Sequence, residues 1–193
     1  MKVEKEDKSK KILKFEYEIL KDLQSKSIIL YPLALPMVPR VYDFIENSQF
    51  NFIVMELLGK NIANVKKALG VSFTTAFALD ILLQMLSSIE GLHNKGYIHR
   101  DIKPSNFVIC PAHRKVFMVD FGLAKLHLKS NGEPYPERKN ADFRGTIAFA
   151  SMNAHNRTDL SRRDDLWSFF FVVLDLLGET VPWRICGEDK VCL

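Results

Sequence analysis

The sequence predicts an α+β chain in which a small strand-containing half with one helix precedes a mainly helical half. Three observations carry that expectation. Two short apolar runs flank a polar turn early in the chain, apolar residues recur at three- and four-residue spacing around and after them, and the junction falls near Leu58 to Asn61. The expected division is therefore 1–58 for the smaller part and 59–193 for the larger, within one domain.

The elements follow in order. Lys10 to Leu23 places Leu13, Tyr17, Leu20 and Leu23 on one face, which predicts an amphipathic helix. Val38 to Ile45 and Phe50 to Leu57 are apolar runs separated by Glu46-Asn47-Ser48-Gln49, a β-hairpin pattern. Gly59 and Gly70 bracket a short helical stretch. From Phe73 to His93, Phe73, Phe77, Ile81, Met85 and Ile89 recur every four residues, with Ser72 placed to cap the start and Gly96 to close the end. Phe107 to Cys110 and Val116 to Val119, joined by Pro111 to Lys115, predict a second hairpin. Glu133 to Asp142 reads as a polar, proline-containing loop. Arg162 to Leu177, ending at Gly178, is apolar on nearly every face after Asp165, so a buried helix is expected.

The bulk properties narrow the class. A 193-residue chain with 47% hydrophobic and 26% charged residues fits a globular domain and excludes a disordered or fibrous one. The net charge of +4 is an ordinary solvated surface and argues against a nucleic-acid partner. Cys110, Cys186 and Cys192 form no CxxC pair, so neither a disulfide framework nor a zinc site is signalled, and an intracellular location, cytoplasmic or nuclear, is expected. The Lys/Glu-rich start from Met1 to Lys11 is no secretory signal, and no apolar run approaches the ~20 residues that span a bilayer. A soluble protein with no membrane partner is expected. His93, His113, His127 and His155 show no ligand spacing.

The chemistry concentrates in His99-Arg100-Asp101-Ile102-Lys103-Pro104-Ser105-Asn106 and, after the second hairpin, Asp120-Phe121-Gly122. Asp101 can accept the proton of an attacking hydroxyl, and Lys103 can neutralise charge on a transferring phosphoryl group. Asn106 and Asp120 offer oxygens to a hard cation. Asn106 enters the hairpin and Asp120 leaves it, so two strands of similar length return both side chains to one end, about 5 Å apart laterally.

This pair of motifs, in this order, resembles the catalytic and metal-binding loops of eukaryotic Ser/Thr protein kinases. The ending Pro104-Ser105-Asn106-Phe107 is similar to the casein kinase 1 superfamily, and most of all to its tau-tubulin kinase branch. So are Met55-Glu56-Leu57-Leu58-Gly59, Phe143-Arg144-Gly145-Thr146, Arg163-Asp164-Asp165-Leu166-Trp167-Ser168, and Ser151-Met152-Asn153 in place of Ala-Pro-Glu. The resemblance covers essentially the whole chain. It implies a bilobal fold, ATP and magnesium as cofactors, protein substrates phosphorylated on Ser or Thr, cytoskeletal ones among them, and a monomer at full length. Lys103, two residues after Asp101, is the Ser/Thr-type placement.

The resemblance also assigns residues. Asp101, Lys103 and Asn106 are the catalytic set, with Asn106 and Asp120 as metal ligands. Met55 is the gatekeeper, Glu56 to Leu58 the hinge that bonds adenine, and Val108 and Val119 line the adenine pocket. Glu16 aligns with the glutamate that orients the ATP lysine, which falls on Lys2. Thr146 is expected to bond near Asp101, and Asp165 to brace the catalytic loop. Alignment to the family implies a chain truncated at both ends, with the glycine-rich phosphate loop lying before Lys2 and the last helices after Pro182-Trp183-Arg184. A non-catalytic kinase-like binding module is the alternative on that ground. Ala148 stands where casein kinase 1 relatives often carry a basic residue.

Overall fold

A computed structural model describes residues 1–5, 12–25, 37–112, 114–179 and 183. Its first sheet has three antiparallel strands in the order β1-β3-β2, with β1 at Lys2–Lys5, β2 at Val41–Glu46 and β3 at Phe50–Met55. Lys2 lies opposite Ile53, and Ile45 opposite Phe52. The β2–β3 turn is built by Asn47, whose Oδ1 accepts from the N–H groups of Gln49 and Phe50 at 2.8 and 2.7 Å. Asn side chains favour such turns because they bond the backbone two residues on.

Helix α1, Ile12–Gln24, packs on this sheet. Its buried face is Leu13, Glu16, Ile19, Leu20 and Leu23, so the predicted stripe is present and a glutamate is part of it. Tyr17 turns to the side and stacks on Phe44 at 5.0 Å. Lys10 and Lys11, where the sequence starts the helix, lie outside the described residues.

Residues 56–61 lead into the helical part. Helix α2, Ile62–Leu69, is capped by Asn61 and closed by Gly70 in the left-handed conformation (φ 65°). Helix α3, Thr75–Asn94, starts two residues later than Ser72 would place it, because Thr74 is the cap, its Oγ1 accepting from Phe77 N–H. Phe73 therefore precedes the helix, buried, with Phe77 edge-on to it at 5.0 Å and substantially exposed. A strict four-residue series advances about 40° per step around a 3.6-residue helix, so it walks off any one face. The face that is buried mixes spacings: Ala78, Ile81, Leu82, Met85, Ile89 and Leu92. With 20 residues, 18 of them in a stretch of mean hydropathy 1.3, α3 does reach membrane-spanning length and composition, contrary to the sequence expectation. Its contacts with α5, β6 and β4 make it the helix around which the core is built.

After β4 (Tyr97–Ile98) come β5 (Phe107–Cys110) and β6 (Lys115–Met118), antiparallel with Phe107 opposite Met118. β7 (Lys125–Leu126) pairs with β4. The single turn α4 (Met152–His155) precedes α5, Arg162–Leu177. A capping box starts α5, Ser161 with Asp164, and Gly178 ends it (φ 89°).

Helix α5 departs from the expected all-round burial. Val172 and Leu176 are in the core, whereas Leu166, Trp167, Phe170 and Leu177 are exposed, and Trp167, Phe170 and Phe171 cluster with ring centroids about 6.0 Å apart. Aromatic side chains gather on that outer face because they shield one another from water. Trp183 stacks edge-on to Phe171 at 5.0 Å, while its neighbours Pro182 and Arg184 lie outside the described residues, as do His113, Cys186 and Cys192. Cys110 is a free, buried thiol.

Candidate active site

Two charged clusters meet at one cleft, the second reaching it through Ser105 and Asn106. The first grows from the sheet and α1. Lys2 Nζ lies 2.6 Å from Glu16 Oε2 and 2.9 Å from Asp120 Oδ1, and Glu16 Oε1 accepts from the Phe121 N–H at 3.3 Å. Burial opposes the charge on Lys2, but Glu16 and then Asp120 outweigh it and hold the lysine above its usual pKa. Burial raises Glu16, which the lysine only partly offsets. Burial also acts to raise Asp120, yet the hydrogen bond from Lys2 prevails and leaves it below the ordinary carboxylate range.

The second cluster is the loop from His99 to Asn106. Asp101 Oδ1 accepts from Thr146 Oγ1 at 2.8 Å, and its Oδ2 meets Lys103 Nζ at 2.7 Å. Asn106 Nδ2 donates to the Asp101 carbonyl (2.9 Å) and carboxylate (3.1 Å). Lys103 also donates to Thr146 at 2.7 Å, closing a ring of three side chains. Val119 N–H donates to the Asn106 carbonyl at 2.9 Å, extending the β5–β6 ladder by one step. That bond brings Asn106 and Asp120 to the same end of the hairpin, as their spacing predicts.

What holds the loop is deeper. Asp165, 1% exposed, accepts from the N–H groups of His99 and Arg100 at 2.8 Å each and meets His93 Nε2 at 2.8 Å. Arg100 is left-handed (φ 67°), as is Asp120 (φ 66°). Non-glycine residues rarely adopt that conformation, and it persists where surrounding bonds over-determine it. His99 is fully buried against Phe121, its ring centroid 5.3 Å away. Its Nδ1 accepts from Asp101 N–H at 3.3 Å, so Nε2 carries the proton and donates to the Val119 carbonyl at 3.2 Å. Burial holds its pKa below the usual histidine value.

The cleft between the clusters measures about 280 Å³. Of the residues expected there, Lys2, Glu16, Met55, Asn106, Val119 and Asp120 line it. Leu20, Pro39 and Ser105 join them; Leu20 was legible only as helix core, Ser105 only as part of the loop motif, and Pro39 gave no signal. Glu56, Leu58 and Val108 stand outside this lining, as do Asp101 and Lys103, which connect to it through Asn106. Glu56 pairs with Arg40, donating its N–H to the Arg40 carbonyl at 2.7 Å and accepting the Arg40 N–H on Oε2 at 3.1 Å, and Val108 bridges to Asn61.

The sequence matches the protein kinase domain over residues 1–191. The chain belongs to the protein kinase family. It is also 40% identical, over 196 residues, to a probable serine/threonine-protein kinase of Dictyostelium discoideum, in an alignment covering 99% of this chain and 38% of that protein. The chain thus spans well under half the length of that relative. The kinase fold accounts for the two-part α+β arrangement, with the cleft lying between the strand-rich part and the helical part.

His93 is the site-supporting residue that sequence reading passed over. It lacks ligand spacing because its partner, Asp165, is 72 positions away.

Proposed function

We propose that the chain is a protein serine/threonine kinase domain, transferring the γ-phosphoryl group of ATP to a Ser or Thr hydroxyl with magnesium. The observation that carries this is the ring of Asp101, Lys103 and Thr146, joined through the Asn106 side chain to the cleft that Lys2, Glu16 and Asp120 line.

The donor set suits magnesium. Among the described residues no three His, Cys, Asp or Glu side chains cluster as a metal cage. Asn106 and Asp120, both on the cleft, offer two hard oxygens, and Mg²⁺ is typically bound by one or two protein carboxylates, keeping waters and phosphate oxygens for the rest. When bound, the ion would offset negative charge on the phosphates. Asn106 spends its Nδ2 on Asp101, which leaves its Oδ1 for the ion. Lys2, kept charged by Glu16, holds the phosphates. Asp101 orients the acceptor hydroxyl and takes its proton, while Lys103 stabilises charge on the moving phosphoryl group.

We place the domain in the casein kinase 1 superfamily, nearest the tau-tubulin kinases. Ser151 and Asn153, which stand where most kinases have Ala-Pro-Glu, both bond the buried Asp164 Oδ1, at 2.8 and 2.9 Å, and that use of the motif supports the placement. Cytoskeletal proteins are candidate substrates through the same likeness, and a monomer is the expected full-length state. Asp101→Asn in the full-length protein tests the reading: turnover should fall by about 10³-fold or more with nucleotide affinity nearly unchanged, since Asp101 meets the hydroxyl and not ATP. Turnover close to that of the unaltered protein sinks it, and an unaltered protein that binds partners without transferring phosphate supports the non-catalytic alternative.

A further inference from the structure

Asp159 lies in the loop between α4 and α5, 4% exposed, and belongs to none of the motifs above. Its Oδ2 takes Lys125 Nζ at 2.6 Å and the Arg138 N–H at 3.1 Å. Its Oδ1 takes Arg138 Nε and NH2 at 3.1 and 2.7 Å. Lys125 follows Asp120 closely on β7, and Arg138 lies within the polar loop. One buried carboxylate therefore pins both ends of the excursion 125–138. Burial acts to raise the pKa of Asp159, but the bonds from Arg138 and Lys125 prevail and hold it far below the usual carboxylate range, so it stays ionised.

From that clamp a short run leads to the catalytic carboxylate. Ala141 N–H donates to the Arg157 carbonyl at 3.1 Å, and Phe143 packs on His155 with ring centroids 5.7 Å apart. Gly145 (φ 106°) passes the Arg100 carbonyl so closely that a Cβ there would stand 2.7 Å from its oxygen. Thr146 then bonds Asp101.

The clamp also supplies charge. Burial and the cations Arg138 and Arg144 lower the pKa of Arg100 to about 10, and its side chain donates to the Leu123 and Ala124 carbonyls and not to a carboxylate. Without Asp159, Lys125, Arg138 and Arg100 would line a cleft of about 500 Å³ with their strongest counter-charge gone. Like charges left together in a partly buried site repel.

We propose that Asp159 is a positioning residue for phosphoryl transfer: by clamping Lys125 and Arg138 it fixes segment 125–146 so that Thr146 meets Asp101 and Lys103. It acts on the acceptor side of the site, since it makes no contact with Lys2, Glu16 or Asp120. The proposal rests on the kinase reading above for its effect on rate.

The test uses the full-length protein carrying Asp159→Asn, Asp159→Glu or Asp159→Ala. Peptide phosphorylation and amide hydrogen exchange are measured on each, the Ala variant with and without sodium formate. The expected result for Asp159→Asn is a kcat lowered about ten- to a hundred-fold with KM for ATP little changed. Exchange should rise across 138–146 and stay as it was in α3 and α5. Asp159→Glu should keep more activity than Asp159→Asn, and formate should restore part of the activity of Asp159→Ala by returning a carboxylate to the cations. Unchanged kcat and exchange in Asp159→Asn overturn the proposal, as does exchange that rises equally in α3 and α5, which marks a general loss of stability. If the unaltered protein transfers no phosphate, the kinase reading fails, and the exchange pattern alone decides whether the clamp exists.

Discussion

Asp165 in α5 and His93 near the end of α3 meet at 2.8 Å in the core beneath the catalytic loop, and the same carboxylate accepts two successive backbone N–H groups, those of His99 and Arg100. Three donors on one buried carboxylate hold the left-handed turn at Arg100, the residue directly before Asp101. Asp165→Asn keeps the shape but replaces one acceptor oxygen with a donor that faces other donors. A cost of roughly 2–4 kcal/mol is expected, with a melting temperature lower by about 5–12 °C. Thermal denaturation followed by circular dichroism measures it, and a shift of a degree or less removes Asp165 from this role.

His99 gives the fold a dependence on acid. Burial depresses its pKa in the folded state below the unfolded value of 6.5. The unfolded chain therefore binds the proton first as pH falls, and stability contributed by neutral His99 is complete above pH 6.5 and declines below it. In His99→Phe, which can still pack on Phe121, the slope of unfolding free energy against pH between about 5 and 6.5 should be shallower than in the unaltered protein. Denaturant titrations at a series of pH values give both slopes. Equal slopes assign the acid sensitivity elsewhere.

Much of this architecture is written locally. The β2–β3 and β5–β6 hairpins, α1, α2 and α5 lie close to where apolar spacing and Gly, Asn and Ser signals put them, because caps and turns are made by residues only a few positions apart. The catalytic loop was legible for a different reason: its residues fall within one eight-residue run, and the hairpin between Asn106 and Asp120 has two strands of equal length. What stayed hidden acts over long range. Asp165 reaches His93 across 72 positions and Asp159 reaches Lys125 across 34, and no periodicity records such pairs. The start of α3 was misplaced because Ser72 and Thr74 are both capping residue types, and only the backbone distinguishes them. The outer face of α5 misled because an unbroken apolar run says how hydrophobic a helix is and not which side is covered.

The Lys2–Glu16 pair should show coupling in a double-mutant cycle. Lys2→Met leaves Glu16, 2% exposed, without its cation, whereas Glu16→Gln removes the charge that needs one. The double variant should be less destabilised than the two single effects added together. A coupling of about 1 kcal/mol is expected, and not several, because the Lys2 side chain is 41% exposed and solvent screens part of the attraction. Additive effects within error would show that the pair contributes no net interaction. Each single variant should also weaken magnesium-ATP binding, read by calorimetry, since the proposed function gives Lys2 the phosphates and Glu16 the task of holding Lys2.

Ala148 is expected to weaken selection for phosphorylated substrates. It sits in the short helical turn Ile147–Phe149, directly after the Thr146 that bonds Asp101, and its carbonyl accepts from Trp183 Nε1 at 3.3 Å. A guanidinium there would offer two parallel donors to a phosphate on the substrate, and a methyl group offers none. Arg144 is the nearby alternative, but it points to Asp142 at 3.3 Å and part of its charge is met there. The domain should therefore discriminate weakly between a peptide and the same peptide carrying a phosphoserine upstream of its target serine, with kcat/KM values within about threefold. Ala148→Arg should raise the preference for the phosphorylated peptide to about tenfold or more, the size of one charge-assisted contact. Asp142→Asn, which releases Arg144, separates the two sources of positive charge: a gain there equal to that of Ala148→Arg would assign anion recognition to Arg144. Strong preference for the phosphorylated peptide in the unaltered protein, with no gain from the arginine, would show that Ala148 does not set this selectivity.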